Sequence, residues 1–213
     1  MDRVLRRFLD EVRPRARARH LATYEDVAAS LESFLESRRR TAARLHLGEL
    51  KGFLGYWYVR HHQPAPPAHA RRFCAATRVL VRWLAAERPP RGRRRILREA
   101  RRLARAAARA ARASALLESL PVHPPAVAEV VEDYCEVVAR GRTHLVLRPL
   151  SGRGLIGPVA VPETLATAVD PGAILNLVLG HGGDGWSILD YGFCYPPSAR
   201  GALCAALAAE SPA

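Results

Sequence analysis

Lysine is almost missing from this chain: of 33 basic residues in 213, only Lys51 is not arginine. Missing too is any run of the roughly 18 apolar residues that a membrane-spanning helix needs, so no membrane partner is expected. Met1-Asp2-Arg3-Val4 leads into no apolar signal core, and the expected location is cytoplasmic. The four cysteines, Cys74, Cys135, Cys194 and Cys204, form no C-x-x-C pair and have no histidines clustered beside them. That spacing excludes a zinc site and a disulfide framework and predicts buried reduced thiols. No glycine-rich phosphate loop of the P-loop or dinucleotide type occurs, and "SGRGLIG" at 151–157 is only a turn-like run. His61, His62 and His69 have no carboxylate or thiol at metal spacing and read as surface histidines. Asp184 and Asp190 flank a hairpin and read as turn residues rather than an acid–base pair. No metal and no cofactor are expected.

Acidic residues are scarce where basic ones are dense. Residues 1–120 hold 28 basic and 11 acidic side chains, 28 − 11 = +17, whereas residues 121–213 hold 5 and 9, 5 − 9 = −4. A chain rich in alanine and proline is consistent with a codon bias that favours arginine over lysine, but such a bias does not produce this asymmetry. A basic half beside a slightly acidic one reads as a polyanion-facing module joined to something else.

From residue 2 to about 118 the apolar periodicity is helical. Residues 2–20 form a basic segment interrupted at Pro14. In "TYEDVAASLESFLESRRR" Thr23 is the expected N-cap and Asp26 its capping-box partner. Val27, Leu31, Phe34 and Leu35 follow as one stripe, and Arg38, Arg39 and Arg40 sit at the C-terminal end, where cations suit the helix dipole. "LHLGELKGFLGYWYVRHH" carries Leu47, Leu50, Phe53, Leu54, Trp57 and Tyr58 in register, with Gly48, Gly52 and Gly55 spaced for a close helix–helix approach. After "QPAPPAHA", "ARRFCAATRVLVRWLAAER" turns Phe73, Leu80, Trp83 and Leu84 inward and leaves Arg71, Arg72, Arg78 and Arg82 outside, ending at Pro89-Pro90.

The densest stretch is "RGRRRILREARRLARAAARAAR", residues 91–112, with ten arginines in twenty-two positions. At 3.6 residues per turn, Arg94, Arg98, Arg101, Arg102, Arg105, Arg109 and Arg112 fall along one side, a ridge about 27 Å long. Ile96, Leu97, Ala100, Leu103, Ala104, Ala107 and Ala111 fall on the other. A solvated helix face mixes charge signs for i,i+4 pairing. Here Glu99 alone faces ten arginines, so the ridge needs an anion.

"SLPVHPPAVAEVVEDYCEVVARGR" reads as a linker and one short helix. From Thr143 the period changes: "THLVLRPL", "GLIGPVAV", "AILNLVLG" and "WSILDYGFCY" are strand-like, "HGGDG" is a hairpin turn, and "PETLATAV" is a helical turn. The expected fold class is α+β, a helical bundle with a long arginine-rich helix followed by a small, mostly antiparallel β domain. The expected divisions are 1–90 for the bundle, 91–118 for the arginine helix, 119–142 for linker and short helix, 143–197 for the β domain, and 198–213 for an Ala-rich tail.

The first half resembles the N-terminal core-binding domain of tyrosine recombinases (phage-integrase-type proteins), a small SAM-like helical bundle that clamps duplex DNA. In that family's T-x-x-x-Y-x-x-x-L-x-x-F helix, Thr23, Val27, Leu31 and Phe34 fill the places, Val27 standing for the tyrosine. In the family's last helix, Arg72, Cys74, Ala75, Ala76, Thr77, Arg78, Leu80, Trp83 and Leu84 take the register of R-x-L-S-A-L-R-x-F-x-x-W-L, with Arg88-Pro89 where Asn-Pro often follows. The likeness covers about residues 5–90. The resemblance implies duplex DNA as partner and a catalytic domain downstream, in which arginines neutralise the scissile phosphate while a tyrosine attacks. Here "TLAT" and "LGH" echo that domain, with His181 and Tyr191 in the places of histidine and nucleophile. However, Val161-Pro162-Glu163 stands where H-x-x-R should, and the spacing from Gly172 to His181 to Tyr191 departs from the family's. No catalytic residues are therefore expected.

The expectation is a non-catalytic DNA-binding protein, an accessory or regulator in DNA integration or recombination. Its DNA contacts would be Arg38, Arg39, Arg40, Arg44, Lys51, Arg71, Arg72 and Arg78, with the ridge Arg94, Arg98, Arg101, Arg102, Arg105 and Arg109 along the backbone. Any base reading would fall to the helix of Arg72 and Arg78. Tyr56 and Tyr58 beside Trp57 could stack on single-stranded bases, although Trp57 suits a bundle core. RNA binding through an OB- or SH3-like barrel, and a protein adaptor whose β domain mediates interaction or oligomerisation, are the alternatives.

Overall fold

The computed structural model describes residues 2–62, 65–86, 90–121, 127–152 and 154–210. Helices α1 (Arg3–Val12), α2 (Ala18–Glu36), α3 (Leu47–Gly52), α4 (Tyr58–His62), α5 (Pro67–Ala86) and α6 (Pro90–Glu118) come first. Strands β1 (Glu129–Arg140), β2 (His144–Pro149) and β3 (Ile156–Ala160), helix α7 (Glu163–Ala168), strands β4 (Ile174–Gly182) and β5 (Gly185–Tyr195), and helix α8 (Arg200–Glu210) follow. The fold class is α+β, helices first and a mostly antiparallel sheet after.

The bundle core is built on the predicted stripes. Leu31, Phe34, Leu50, Phe53, Phe73 and Leu80 are buried together with Leu5 and Phe8 of α1. Thr23 is not a cap. It lies one turn inside α2, which starts at Ala18 with no side-chain cap, and its Oγ1 donates to the Arg19 carbonyl at 3.2 Å. The basic run before it continues the helix because nothing in Ala16–Ala22 stops it, the only proline being Pro14 in the 3-10 turn Arg13–Arg15. Residues 87–89, including Pro89, lie outside the described residues, and Pro90 opens α6, where its missing N–H costs nothing.

A π-helical turn, Phe53–Trp57, joins α3 to α4. All three predicted glycines make close approaches, Gly48 to its own N-cap His46 at 3.1 Å and the other two to neighbouring elements. A Cβ at Gly52 would lie 3.2 Å from the Phe34 ring, and one at Gly55 would lie 2.8 Å from Ser198 Oγ and 3.2 Å from the Ala199 nitrogen. Gly55 is thus where the bundle touches the turn after β5. Tyr58 is fully buried, Trp57 is half-buried beneath His61 with rings 4.1 Å apart, and Tyr56 stacks on Tyr195. None of the three is a free stacking platform.

In the segment read as linker plus short helix, residues 122–126 lie outside the described residues, and the part read as helix is a twelve-residue strand, β1, so the barrel begins at Glu129 and not at Thr143. "EVVEDYCEVVAR" fits both periods. Valines and aromatics recur at three to four, but Val131, Cys135 and Val137 also alternate, and these are the buried ones. Pairing decides, because β1 hydrogen-bonds to β2 on one side and β4 on the other. The order β1-β2-β3-β5-β4 closes on β1, with β3 parallel to β5 at Val159↔Trp186 and α7 between β3 and β4. This is the connectivity of an OB-type barrel. The predicted hairpin is present, β4 and β5 being joined through Gly183-Asp184.

Helix α6 belongs to two cores. Ala100, Leu103, Ala104, Ala107 and Ala111 pack into the bundle, mainly on α5, while Ala110, Ala113 and Leu117 pack into the barrel with Val131, Leu147 and Leu175. Alanine at the contact lets α6 approach closely, and its last turn is pinned by polar bonds. The Cys194 nitrogen donates to Ser114 Oγ at 2.9 Å, and Tyr191 Oη donates to the Glu118 carbonyl at 3.0 Å. The Ala-rich tail returns to the bundle as well, burying Ala199 and Leu203 there. Among the described residues no helix is long and apolar enough to cross a membrane.

Candidate anion-binding groove

Burying the alanine and leucine face of α6 forces its other face outward. All nine described arginines from Arg93 to Arg112 are exposed. Arg94, Arg98, Arg101, Arg102, Arg105 and Arg109 line one open groove of about 880 Å³. The barrel supplies its other wall, Asp170 and Pro171 from the loop between α7 and β4, and Pro197 and Ser198 from the turn after β5. Two carboxylates answer this charge. Arg102 Nε reaches Glu99 Oε2 at 2.9 Å, and Arg109 Nη1 reaches Asp170 Oδ1 and Oδ2 at 2.6 and 2.7 Å. Among the described residues Arg94, Arg98, Arg101, Arg105 and Arg112 have no ion-pair partner.

Arg78 and Arg82 of α5 join Arg101 at the seam between α5 and α6. Arg78 Nε is buried there without a partner among the described residues. Arg72 is elsewhere, in the cleft between α2 and α5 with Thr23, Tyr24 and His69. At about 100° per residue, six positions turn a helix by about 240°, so Arg72 and Arg78 cannot read one groove together. Arg71 is exposed on α5 but lines no part of the α6 groove.

The remaining predicted contacts also lie off the groove. Arg38 stacks its guanidinium over Phe34 at 4.8 Å, and Arg40 Nε lies 3.8 Å from Glu49, a buried carboxylate that also accepts the His46 N–H. Arg39 holds a left-handed φ of 53° just past α2. Arg44 is exposed in a 3-10 turn, and Lys51 is half-buried on α3. The first two are absorbed in local packing, and none of these five lines the groove.

His181 and Tyr191 do not converge. The β4–β5 register sets His181 opposite Trp186 and Tyr191 opposite Leu177, four residues apart, about 13 Å along the strand. The histidines near the α4–α5 turn are less superficial than their sequence implied. His62 Nε2 lies 2.9 Å from Ser30 Oγ, His69 Nε2 lies 3.4 Å from Asp26 Oδ2, and burial holds the His62 imidazole below its ordinary range despite the opposing pull of Asp26. Among the described residues no three His, Cys, Asp or Glu side chains are placed to hold a metal ion. Three cysteines are buried, and burial pushes the thiols of Cys74, Cys135 and Cys194 up to about 12, where they stay protonated and unreactive. Cys204, expected to be buried, is exposed on α8.

Sequence reasoning missed Asp170, Pro171, Pro197 and Ser198. Asp170-Pro171 stands out only as a helix-ending turn, and nothing local announces a bond to a residue 61 positions away. Comparison with protein-family models, with curated proteins and with solved structures finds no match for this chain.

Proposed function

We propose that this protein binds duplex DNA without catalysing a reaction on it, holding phosphates along the arginine face of α6. One observation carries the reading: six exposed arginines on one helical face line one groove, and among the described residues only Glu99 and Asp170 are close enough to neutralise any of them. Over the roughly 27 Å from Arg94 to Arg112, one strand of a duplex presents about eight phosphates at 3.4 Å each. Phosphate contacts of this kind give affinity and register rather than sequence choice. The likeness of residues 5–90 to a recombinase core-binding domain supports an accessory role in DNA integration or recombination, carried out in the cytoplasm.

The barrel is less well equipped for nucleic acid. OB-type barrels bind oligonucleotides on the β2–β3 face and adjoining loops, but here Arg142 pairs with Glu163 at 3.1 Å and Arg148 with Glu136 at 3.5 Å. Strands β2 and β3 carry no Phe, Tyr or Trp. An interaction or oligomerisation role suits this half better.

Fluorescence anisotropy with a duplex of about 20 base pairs, a single strand, an RNA hairpin and heparin at matched charge, across a salt series, tests the reading. The duplex should bind best, with log K falling by about 5 per unit of log salt, as expected for some six phosphate contacts. Equal binding of heparin would leave only a generic acidic-partner adaptor, and tighter binding of RNA would move the proposal to RNA.

A further inference from the structure

We propose that Asp170 is a built-in competitor for the groove: an internal oxyanion that occupies Arg109 until a phosphate of the bound polymer displaces it. The inference rests on the nucleic-acid reading above and describes how that site is regulated. Asp170 is the one carboxylate among the groove's described lining residues. It comes from the barrel, 61 residues from its partner, and meets one nitrogen of Arg109 with both oxygens at 2.6 and 2.7 Å. A carboxylate in that position shows where an oxyanion sits against α6, and it stands where a phosphate oxygen would.

The contact is built to be exchanged. The Arg109 side chain is 61% exposed and that of Asp170 is 33% exposed, so solvent and ligand reach both. Exposed ion pairs are weak, and a phosphate ester offers the arginine a charge-assisted bond of at least equal quality. The loop does not depend on the carboxylate. Its backbone is held separately, the Ala173 N–H donating to the Asp170 carbonyl at 3.0 Å and the Gly172 N–H to the Val137 carbonyl at 2.8 Å, with Gly172 at φ 82°. The Asp170 side chain can therefore swing away while the barrel wall stays in place.

The consequence is selectivity for polymers. A free phosphate or mononucleotide meets the same competitor at Arg109 but engages one or two arginines. A strand that already occupies Arg94, Arg98, Arg101 and Arg105 brings a phosphate to Arg109 at high effective concentration. Asp170 thus penalises small anions more than nucleic acid.

The test uses the full chain and a duplex of about 20 base pairs, titrated between about 50 and 300 mM NaCl. Asp170→Asn, and Asp170→Ser as a second variant, should bind about two- to fivefold tighter at the lowest salt. Their log K against log salt should run parallel to the parent's, because the bound strand holds Arg109 in both and only the competition for it is removed. Inorganic pyrophosphate should compete at lower concentration against Asp170→Asn than against the parent. Arg109→Gln combined with Asp170→Asn should bind like Arg109→Gln alone. Unchanged or weaker binding by both Asp170 variants, while Arg98→Gln/Arg101→Gln/Arg105→Gln still loses the duplex, overturns this inference and leaves the reading standing. Failure of the parent protein to bind the duplex, or indifference to the triple substitution, overturns both.

Discussion

Arginines of the barrel and arginines of α6 are the same residue in two different situations. The four described arginines of the C-terminal half, three of the barrel and Arg200 of α8, are all engaged within that half. Arg140 Nη1 donates to the carbonyls of Ala166, Thr167 and Val169 at the end of α7, Arg142 pairs with Glu163, and Arg148 and Arg200 share Glu136. The first segment shares this pairing in part, Arg7 of α1 meeting Glu11, and Arg13 of the 3-10 turn after it meeting Asp10 and Glu25. On α6, among the described residues, most guanidinium groups have no carboxylate within reach, although like charges at i,i+3 and i,i+4 cost a helix about 0.2–0.5 kcal/mol per pair. That cost is tolerated because the opposite face of α6 is buried in two cores. Local pairing, more than net charge, separates arginines that hold a fold from arginines that await a ligand.

The comparison breaks most severely if the shared helix does not couple the halves. Leu103→Ala on the bundle side and Leu117→Ala on the barrel side should each lower stability by about 2–5 kcal/mol, and both should shift one common thermal transition by calorimetry. Two separate transitions, each sensitive to only one substitution, would show that the halves unfold independently.

The charge contrast itself is tested by removal. Arg98→Gln/Arg101→Gln/Arg105→Gln should weaken duplex binding about a hundredfold near 100 mM salt and flatten the log–log salt slope by about 2.7. Arg142→Gln/Arg148→Gln/Arg200→Gln should change binding little and instead lower the thermal midpoint. A smaller effect is expected at the junction. Gly55→Ala forces a methyl to 2.8 Å from Ser198 Oγ and 3.2 Å from the Ala199 backbone, and should cost about 1–3 kcal/mol as overpacking does, read from urea midpoints.

The smallest effect is pH-dependent and confined to the bundle. Burial lowers the native His62 pKa, with Asp26 pulling it up and His69 and His61 pushing it down. The unfolded chain therefore takes up the proton at higher pH than the folded one. Stability present above an unfolded value of about 6.5 is lost as pH falls through it toward the native pKa. Urea midpoints at pH 7.5 and 5.5 should differ, and His62→Gln should narrow the difference.

The helical half was legible because its signal is local. In α5 and α6 the 3.6-residue pattern puts Phe73, Leu80, Leu103 and Ala107 inward whatever packs against them, and all four are buried. The β4–β5 hairpin was legible for the same reason, through "HGGDG" between alternating runs. Strand β1 was not, since "EVVEDYCEVVAR" satisfies both periods and only pairing with β2 and β4 selects one. The candidate site was half legible. Its arginines follow from helical phase, but its far wall comes from the loop before β4 and the turn after β5, whose neighbours in space are remote in sequence.

By itself, then, the sequence determined the charge asymmetry, the helical class of the first half and the alignment of Arg94 through Arg112 on one side of a helix. These follow from composition and from the 3.6-residue turn, which needs no knowledge of any other segment. Only the tertiary structure decided that Arg72 and Arg78 face different clefts, that Arg38 and Arg40 are spent on Phe34 and Glu49, and that Asp170 reaches Arg109. Each of these depends on which distant surfaces meet, and that is set by burying the apolar faces of α5, α6 and the barrel together rather than by any pattern within one segment.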